Sequence, residues 1–453
     1  MNQRPNLILI TIDALRADHL GFMGYEKDTS PNIDSLAKES IVFKNAFAVG
    51  PTTPYSFPSI LTSTYPLDYQ GPREIKKPRV FISEVFKKKG FITAAFHSSP
   101  YLSDYFGYDK GWDFFKDINF SVDFSSGSSR LKKLFNKIMI STFPELFFRM
   151  AYLRYRMNRP QNVRVKASLV NQVARDFIYT LKEKNQPFFI WIHYMDTHTP
   201  PLCYSENRVC SYTELLGDYV GAAIWSHGNK GALKRFVKKR FKKYLGETLS
   251  LYDKAIKSLD KEIGELLNFL KKQNIYQDSV LCVTSDHGDE FLEHGGLGHN
   301  IQLYNEVLSI PLLIKMPENN SMGIPAGQII EKNVSLIDLT PTLCDLVGIE
   351  KDPTFKGKNL FNENASLVFH QSAFSEKEGH RLEIERLDQC RVACQFDNWK
   401  YILDHGTGKE ELYNLSKDPK EKNNVFSSEP GILSQMKEKV KNFEKENPPL
   451  SLV

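Results

Sequence analysis

The feature that most constrains the fold is a short apolar run near the amino terminus that ends at a carboxylate. Residues 6–12 (NLILITI) are β-prone and apolar throughout, which is typical of a central strand covered on both faces. Asp13 follows directly, at the position where open α/β sheets place their ligands. Similar runs recur at 91–97, 187–194 and 279–284, each after an amphipathic helical pattern and a polar turn. This alternation predicts a layered α/β/α fold.

The character of the sequence changes near residue 361. Short β-prone runs follow, with one long helical pattern close to the end, which predicts a smaller α+β subdomain with an antiparallel sheet over residues 361–453. Residues 1–360 then form the main domain. Two basic segments, near 118–165 and 200–245, interrupt the alternation of strands and helices, and we expect them to be insertions in that domain.

Composition and net charge exclude few classes of function. The net charge of +5 is spread over 453 residues, so it does not predict nucleic-acid binding, although it suits an enzyme that attracts small anionic substrates. No apolar stretch approaches the roughly 18 residues of a membrane-spanning helix, and the run before Asp13 is too short for a signal peptide. We therefore expect a cytoplasmic location. The six cysteines include no CxxC pair, which agrees with free thiols in a reducing compartment.

Four polar clusters follow the predicted strands. Asp13 is the first, and either a helix N-cap or a metal ligand would explain it. The second is GPTTPYSFPSILTSTYP (residues 50–66), in which hydroxyl side chains crowd the start of a helical pattern. A helix N-terminus attracts oxyanions, and a hydroxyl there could act as a nucleophile if a metal lowered its pKa. A simple Ser/Thr cap is the common alternative.

The other two clusters carry histidines. His193, Asp196 and His198 lie close together in WIHYMDTHTPP, after an apolar run, and this grouping favours a functional role over a structural one. The last cluster, VTSDHGDEFLEHGGLGHN, is the densest. Its metal-capable side chains are Asp286, His287, Asp289, Glu290, Glu293, His294 and His299. That density favours a metal site over a solvated acidic loop.

Taken in order, these segments resemble the sulfatase family within the alkaline phosphatase superfamily. NLILITIDALRADHLGFMGY is similar to the opening strand with its metal-binding aspartate, and PTTPYSFPSILTSTYP to the segment around the nucleophile. HYMDTHTPP resembles the segment that holds the leaving-group histidine, and TSDHGDEFLEHGG the second metal segment. The resemblance implies an alkaline-phosphatase-like α/β/α sandwich with a mixed central sheet, in which residues 1–360 form a sulfatase-like catalytic domain.

The nucleophile segment departs from the family pattern. Sulfatases carry a cysteine or serine that is oxidised to formylglycine, nine positions before a threonine, and counting back from Thr62 places Thr53 there. Thr52 keeps a T-x-P triplet but breaks this spacing. A threonine is not expected to become formylglycine, and threonine nucleophiles occur in phosphodiesterase and phosphotransferase relatives. Phe57 replaces the usual arginine, and AFHSSPYLS replaces the usual GKxH segment, so that His97 is a loose substitute.

The resemblance implies a metal-dependent hydrolase of sulfate or phosphate esters. A divalent cation would be held by Asp13, Asp286, His287 and the Thr53 oxygen, with Mn²⁺ or Zn²⁺ favoured by the mixed ligands and Ca²⁺ or Mg²⁺ as alternatives. Thr53 would attack phosphorus or sulfur and form a covalent intermediate, and His198 would protonate the leaving oxygen. Further candidates for substrate oxygens or a second metal are Asp196, His294, His299 and His97.

Three alternatives stay open. The threonine and the Asp286–His287 pair favour a phosphodiesterase, a phosphonate monoester hydrolase or a phospho-group transferase. A second alternative is an inactive binding module, against which the intact metal-type clusters argue. The third is an enzyme peripheral to the membrane, whose basic segments bind an anionic lipid surface. Solvated faces of lid helices are the simpler explanation of those segments, and the oligomeric state is not predicted.

Overall fold

The computed structural model describes residues 4–72, 75, 79–118, 165–181, 184, 186–198, 231–319, 323–361, 367–373 and 390–448. Most of the first predicted insertion lies outside these residues, and so do residues 200–230 of the second. The backbone of residues 231–245 is described, and it is the first part of a 42-residue helix, Gly231–Lys272.

Eight strands form one central sheet, and a short hairpin lies outside it. The strands in chain order are β1 (Asn6–Ile12), β2 (Ile41–Phe47), β3 (Ile92–His97), β4 (Phe114–Asp117), β5 (Phe188–Tyr194), β6 (Ser279–Ser285), the hairpin β7 (Glu290–Phe291) and β8 (Leu297–Gly298), β9 (Ser309–Lys315) and β10 (Ile329–Ser335). The spatial order is β10-β2-β9-β6-β1-β5-β3-β4. Among the eight described strands of the central sheet, only β9 runs antiparallel to its neighbours. The predicted mixed α/β sheet is confirmed.

β1 is central because both of its faces are covered. Residues 7–10 are fully buried, and β1 pairs in parallel with β5 on one side and β6 on the other. The register places Ile12 opposite Ser285. Asp13 and Asp286, the residues that follow the two strands, therefore emerge side by side at the carboxyl edge of the sheet.

Helices cover both faces of the sheet, with a separate apolar cluster under each layer. They are α1 (Pro31–Lys38), α2 (Thr53–Thr62), α3 (Ile82–Lys88), α4 (Ala167–Thr180), α5 (Gly231–Lys272), α6 (Asn305–Leu308) and α7 (Leu339–Leu346). Tyr252 of α5 reaches the carboxyl edge of the sheet, where its hydroxyl donates to the Ala14 carbonyl at 2.7 Å and accepts from the Arg16 N–H at 2.9 Å. Within the described part of the chain, no helix combines the length and the apolar character that crossing a membrane requires.

The C-terminal part contains a second, antiparallel sheet, as the short β-prone runs predict. Its strands, in their spatial order, are β11 (Leu367–Ala373), β12 (Cys390–Phe396), β13 (Trp399–Asp404) and β14 (Lys409–Asn414). The helix α8 (Pro430–Glu446) packs on one face of this sheet, and residues of the other face join the apolar cluster of the main domain. The boundary at residue 361 stays a prediction.

Candidate active site

Asp13 and Asp286 lie together at the carboxyl edge of the sheet, and both are fully buried. Asp286 Oδ1 accepts hydrogen bonds from the backbone N–H groups of Ala14 at 3.2 Å and His287 at 2.9 Å. Asp286 Oδ2 and Asp13 Oδ1 have no hydrogen-bond partner among the described residues. Buried carboxylate oxygens without partners cost free energy. The pair is therefore a candidate site for an electropositive group.

The hydroxyl of Thr53 lies against this pair. α2 begins at Thr53, and Pro54 occupies its first turn, where the missing N–H leaves no donor unsatisfied. Thr53 Oγ1 lies 3.2 Å from Asp13 Oδ2 and 3.4 Å from His287 Nε2. The preceding residue, Thr52, has an extended backbone and makes no side-chain capping bond. The fold thus brings Thr53, the residue chosen by its spacing, to the carboxylates.

His287 completes the cluster with a defined tautomer. Its Nδ1 lies 2.8 Å from the carbonyl oxygen of Gly288, which can only accept, so Nδ1 carries the proton and Nε2 carries a lone pair. That Nε2 lies 3.5 Å from Asp286 Oδ2 and 3.8 Å from Asp13 Oδ1. Burial, and then the neighbouring His299, lower the pKa of His287 to about 3. The ring is therefore neutral near pH 7.

The two carboxyl groups differ in their tendency to ionise. Burial would raise the pKa of Asp13, but the imidazoles of His198, His193 and His287 outweigh this effect and hold its pKa below the ordinary value. Burial and the adjacent charge of Asp13 raise the pKa of Asp286 well above its ordinary value. Two neighbouring buried carboxylates repel each other, so both ionise only if a cation compensates them.

These residues fit a divalent metal ion. Ligand atoms of Asp13, Asp286 and His287 all lie within 4.8 Å of one another. Two carboxylates, one imidazole lone pair and the Thr53 hydroxyl form the mixed donor set that was predicted from the sequence. The structure brings all four together, while their roles as ligands and the identity of the ion stay predictions.

A second layer of polar side chains surrounds the cluster. His193 pairs in register with Thr11, and its Nδ1 lies 2.9 Å from Thr11 Oγ1, with its Nε2 3.8 Å from Asp13 Oδ2. His299 Nδ1 lies 3.1 Å from Asp289 Oδ1. The sequence did not assign individual roles to His193 and Asp289. For His193 the missing signal was the strand register, which sets it beside a polar residue of β1.

His198 lies at the same edge, in the loop after β5. Its ring centroid is 4.9 Å from that of His299, which in turn lies 4.3 Å from the ring of His287. The loop is tied to the cluster because the Thr197 hydroxyl donates to the backbone carbonyl of Asp13 at 2.5 Å. The role of His198 as a proton donor stays a prediction.

Three other candidate residues, Asp196, His97 and His294, contact groups other than the two carboxylates. Asp196 Oδ1 accepts the N–H of Ala167 at 3.1 Å, at the start of α4. His97 stacks on Trp191 with ring centroids 5.7 Å apart, and burial lowers its pKa to about 3. Both ring nitrogens of His294 bond to residues outside the carboxylate pair. The roles of these three with substrate or a second metal stay predictions.

Gly288 has no room for a side chain, because a Cβ there would lie 2.3 Å from the carbonyl oxygen of Glu306. We expect Gly288→Ala to lower the free energy of unfolding by about 1–3 kcal/mol, as overpacking does, and to lower kcat because it displaces His287. Urea unfolding and turnover assays measure the two effects. Gly246→Ala in α5 is the control, since its Cβ would meet no described atom within 4 Å. Wild-type stability and activity of Gly288→Ala would contradict this expectation.

Family profiles match nearly all of the chain. The profile described as "Sulfatase" matches residues 5–349. The chain belongs to the sulfatase family. A second profile, "N-sulphoglucosamine sulphohydrolase, C-terminal", matches residues 293–446. Membership confirms the prediction of a hydrolase of sulfate or phosphate esters. Sulfatases generally use a divalent metal ion, and the Asp13–Asp286–His287 cluster is a candidate site for one.

Two bacterial sulfatases are similar to this chain over most of their length. An arylsulfatase of Clostridium perfringens is 25% identical, over 94% of this chain and 91% of its own. An uncharacterized sulfatase of Escherichia coli K12 is 25% identical, over 94% of this chain and 83% of its own. Among solved structures, the phosphonate monoester hydrolase of Agrobacterium radiobacter has a TM-score of 0.72 at 18% identity and covers 98% of this chain and 96% of that one. This likeness confirms the fold.

Proposed function

We propose that this sulfatase hydrolyses small anionic sulfate or phosphate esters through a covalent intermediate on Thr53. The observation that supports this most is the position of Thr53 Oγ1, 3.2 Å from Asp13 Oδ2 and 3.4 Å from His287 Nε2. A hydroxyl with an ionised carboxylate and an imidazole lone pair beside it has acceptors for its proton when it attacks. Thr53 is also the first residue of α2, so it lies at the positive end of the helix dipole, which favours an anion.

Asp13, Asp286, His287 and Thr53 would hold a divalent cation, with Mn²⁺ or Zn²⁺ favoured by the imidazole ligand. When bound, such a cation neutralises charge on the ester oxygens and lowers the pKa of a hydroxyl ligand. The unpartnered oxygens of the two aspartates support this assignment, because they need such a partner when buried.

The residues of the chain account for each proton in the reaction. Thr53 Oγ1 attacks phosphorus or sulfur, and its proton passes to the neighbouring Asp13 carboxylate. The bond to the leaving oxygen breaks as His198 donates a proton to that oxygen. Water then attacks the same phosphorus or sulfur atom, His198 takes up a proton from it, and the Thr53 oxygen leaves and recovers its proton from Asp13.

A second candidate is a phosphodiesterase, a phosphonate monoester hydrolase or a phospho-group transferase. It is favoured by the threonine, which is not expected to become formylglycine, and by the Asp286–His287 pair. Transfer differs from hydrolysis only in the last step, where an alcohol replaces water.

Comparing two substrates tests the proposal and separates the candidates. The Mn²⁺-loaded full chain is assayed with 4-nitrophenyl sulfate and with bis(4-nitrophenyl) phosphate, and kcat/KM is compared. Methanol is added so that it competes with water for the covalent intermediate. Within a series of esters that differ only in the leaving group, we expect the ratio of methyl ester to free acid to be constant, because every member of the series would form the same Thr53 ester. If metal is bound but neither ester is turned over, a binding module is indicated.

His198→Gln is expected to slow the reaction in a way that depends on the leaving group. Loss of a general acid typically lowers the rate about 10²- to 10⁴-fold when the leaving oxygen is basic. An unsubstituted phenyl ester should therefore lose far more kcat/KM, which reports departure of the leaving group, than a 4-nitrophenyl ester, whose leaving group needs no proton. His405→Gln, whose wild-type ring bonds to Glu444 at 2.7 Å in the C-terminal part, is the control. Equal losses for both esters would rule out His198 as the acid.

A further inference from the structure

A fully buried ion pair lies between the C-terminal sheet and the segment that follows His287. Lys400 Nζ on β13 lies 2.7 Å from Glu421 Oε1, and neither side chain is exposed. Glu421 also has a φ of 52°, which is uncommon for a residue with a side chain. Because apolar residues usually stabilise such a position as well or better, the pair needs an explanation other than stability.

The ion pair contacts two parts of the main domain. Glu421 Oε2 accepts the backbone N–H of Asn305, the first residue of α6, at 2.7 Å, and Lys400 Nζ donates to the Asn305 side-chain oxygen at 2.8 Å. The Glu421 carbonyl accepts from His294 Nε2 at 2.9 Å, while His294 Nδ1 bonds to Glu306 at 2.6 Å. The pair therefore holds both the loop that contains His294 and the start of α6.

α6 in turn fixes the residues that follow His287. The N–H of Gly288 donates to the Val307 carbonyl at 2.7 Å, and the N–H of Asp289 donates to the Glu306 carbonyl at 3.1 Å. Since both carbonyls belong to α6, a displacement of this short helix would move the backbone next to a candidate metal ligand.

We infer that Lys400 and Glu421 are positioning residues for the active site. They hold α6, and through it residues 287–289, in the arrangement that the metal cluster requires. The effect on metal affinity rests on the proposed function, whereas the ordering of residues 288–306 does not depend on a metal. The C-terminal sheet thereby supports the active site through α6, although none of its described residues reaches the reacting atoms in this assignment.

The double variant Lys400→Met/Glu421→Met tests the inference. Methionine is of similar length, and the double change leaves no buried charge without a partner, so we expect the fold to survive. Hydrogen exchange of the amides of residues 288–306 is measured on the full chain without metal, and Mn²⁺ affinity is measured by calorimetry. Val440→Ala is the control for lost stability, since Val440 is buried in the apolar cluster between α8 and the same sheet.

We expect the amides of residues 288–306 to exchange about tenfold faster in the double variant, because their local opening costs less free energy. The Kd for Mn²⁺ should rise about 10- to 100-fold, as it does when residues that orient ligands are lost. Val440→Ala should leave both unchanged. Wild-type exchange in the double variant, or equal acceleration in Val440→Ala, would overturn the inference. If the wild-type chain bound no divalent cation, the proposed function would be contradicted, and the exchange result would still decide this inference.

Discussion

Thr53→Ala is expected to lose turnover by roughly 10⁴- to 10⁶-fold, as enzymes do when a covalent nucleophile is removed. Alanine offers no oxygen to form the intermediate, and water would have to attack the substrate directly. The fold should survive, because removing one buried hydroxyl costs only about 1–2 kcal/mol. Turnover of the better substrate, the circular dichroism spectrum and the melting temperature are compared with those of the wild type.

Thr52→Ala and Thr53→Ser are the matched variants. Thr52 precedes the helix, and its side chain makes no capping bond, so Thr52→Ala should keep nearly wild-type turnover. Thr53→Ser retains a hydroxyl at the same place and should keep a measurable part of it. If Thr52→Ala lost activity and Thr53→Ala kept it, the nucleophile would be Thr52.

Asp286→Asn is expected to lower metal-dependent turnover by roughly 10³-fold or more. The same change is expected to stabilise the metal-free protein. At pH 7 the unfolded chain ionises this carboxyl, whereas in the fold burial and the charge of Asp13 raise its pKa and oppose ionisation. A neutral amide avoids the cost of burying this charge. Its oxygen can still accept the hydrogen bonds that the two backbone N–H groups donate to Oδ1. The free energy of unfolding in EDTA should rise by about 1–3 kcal/mol.

The same variant separates a metal site from an ordinary buried carboxyl. Mn²⁺ should raise the melting temperature of the wild type by mass action and leave that of Asp286→Asn unchanged. Asp253→Asn is the control, because Asp253 is also buried but bonds to His19, Tyr25 and Lys27. Equal stabilisation of Asp286→Asn and wild type by Mn²⁺ would show that the ion binds elsewhere.

The sequence predicted the centre of the sheet well because burial on both faces leaves a local signal. Residues 6–12 are apolar without alternation, and β1 indeed has neighbours on both sides. The direction of β9 left no such signal, since SIPLLIK is equally apolar in a parallel or an antiparallel strand. The half-exposed edge strand β4 has only four residues, too few for a pattern.

The candidate site was predictable where a residue ends a strand or begins a helix. Asp13, Thr53 and Asp286 occupy such positions, so that the sheet and α2 bring them together. His294 belongs to a loop whose course depends on its own side chains, because Glu290 accepts the N–H groups of both His294 and Gly296 and bends the chain between them. Counting metal-capable residues along a sequence cannot predict such a bend.

The position of β6 between β1 and β9 also bears on how the protein matures. Asp286 and His287 reach Asp13 only when this late strand inserts beside the earliest one, a pairing between segments far apart in the chain. A nascent chain that ends before β6 would carry Asp13 and Thr53 without the other half of the cluster. Uptake of the cation by the complete cluster would accordingly follow the insertion of β6 rather than initiate folding.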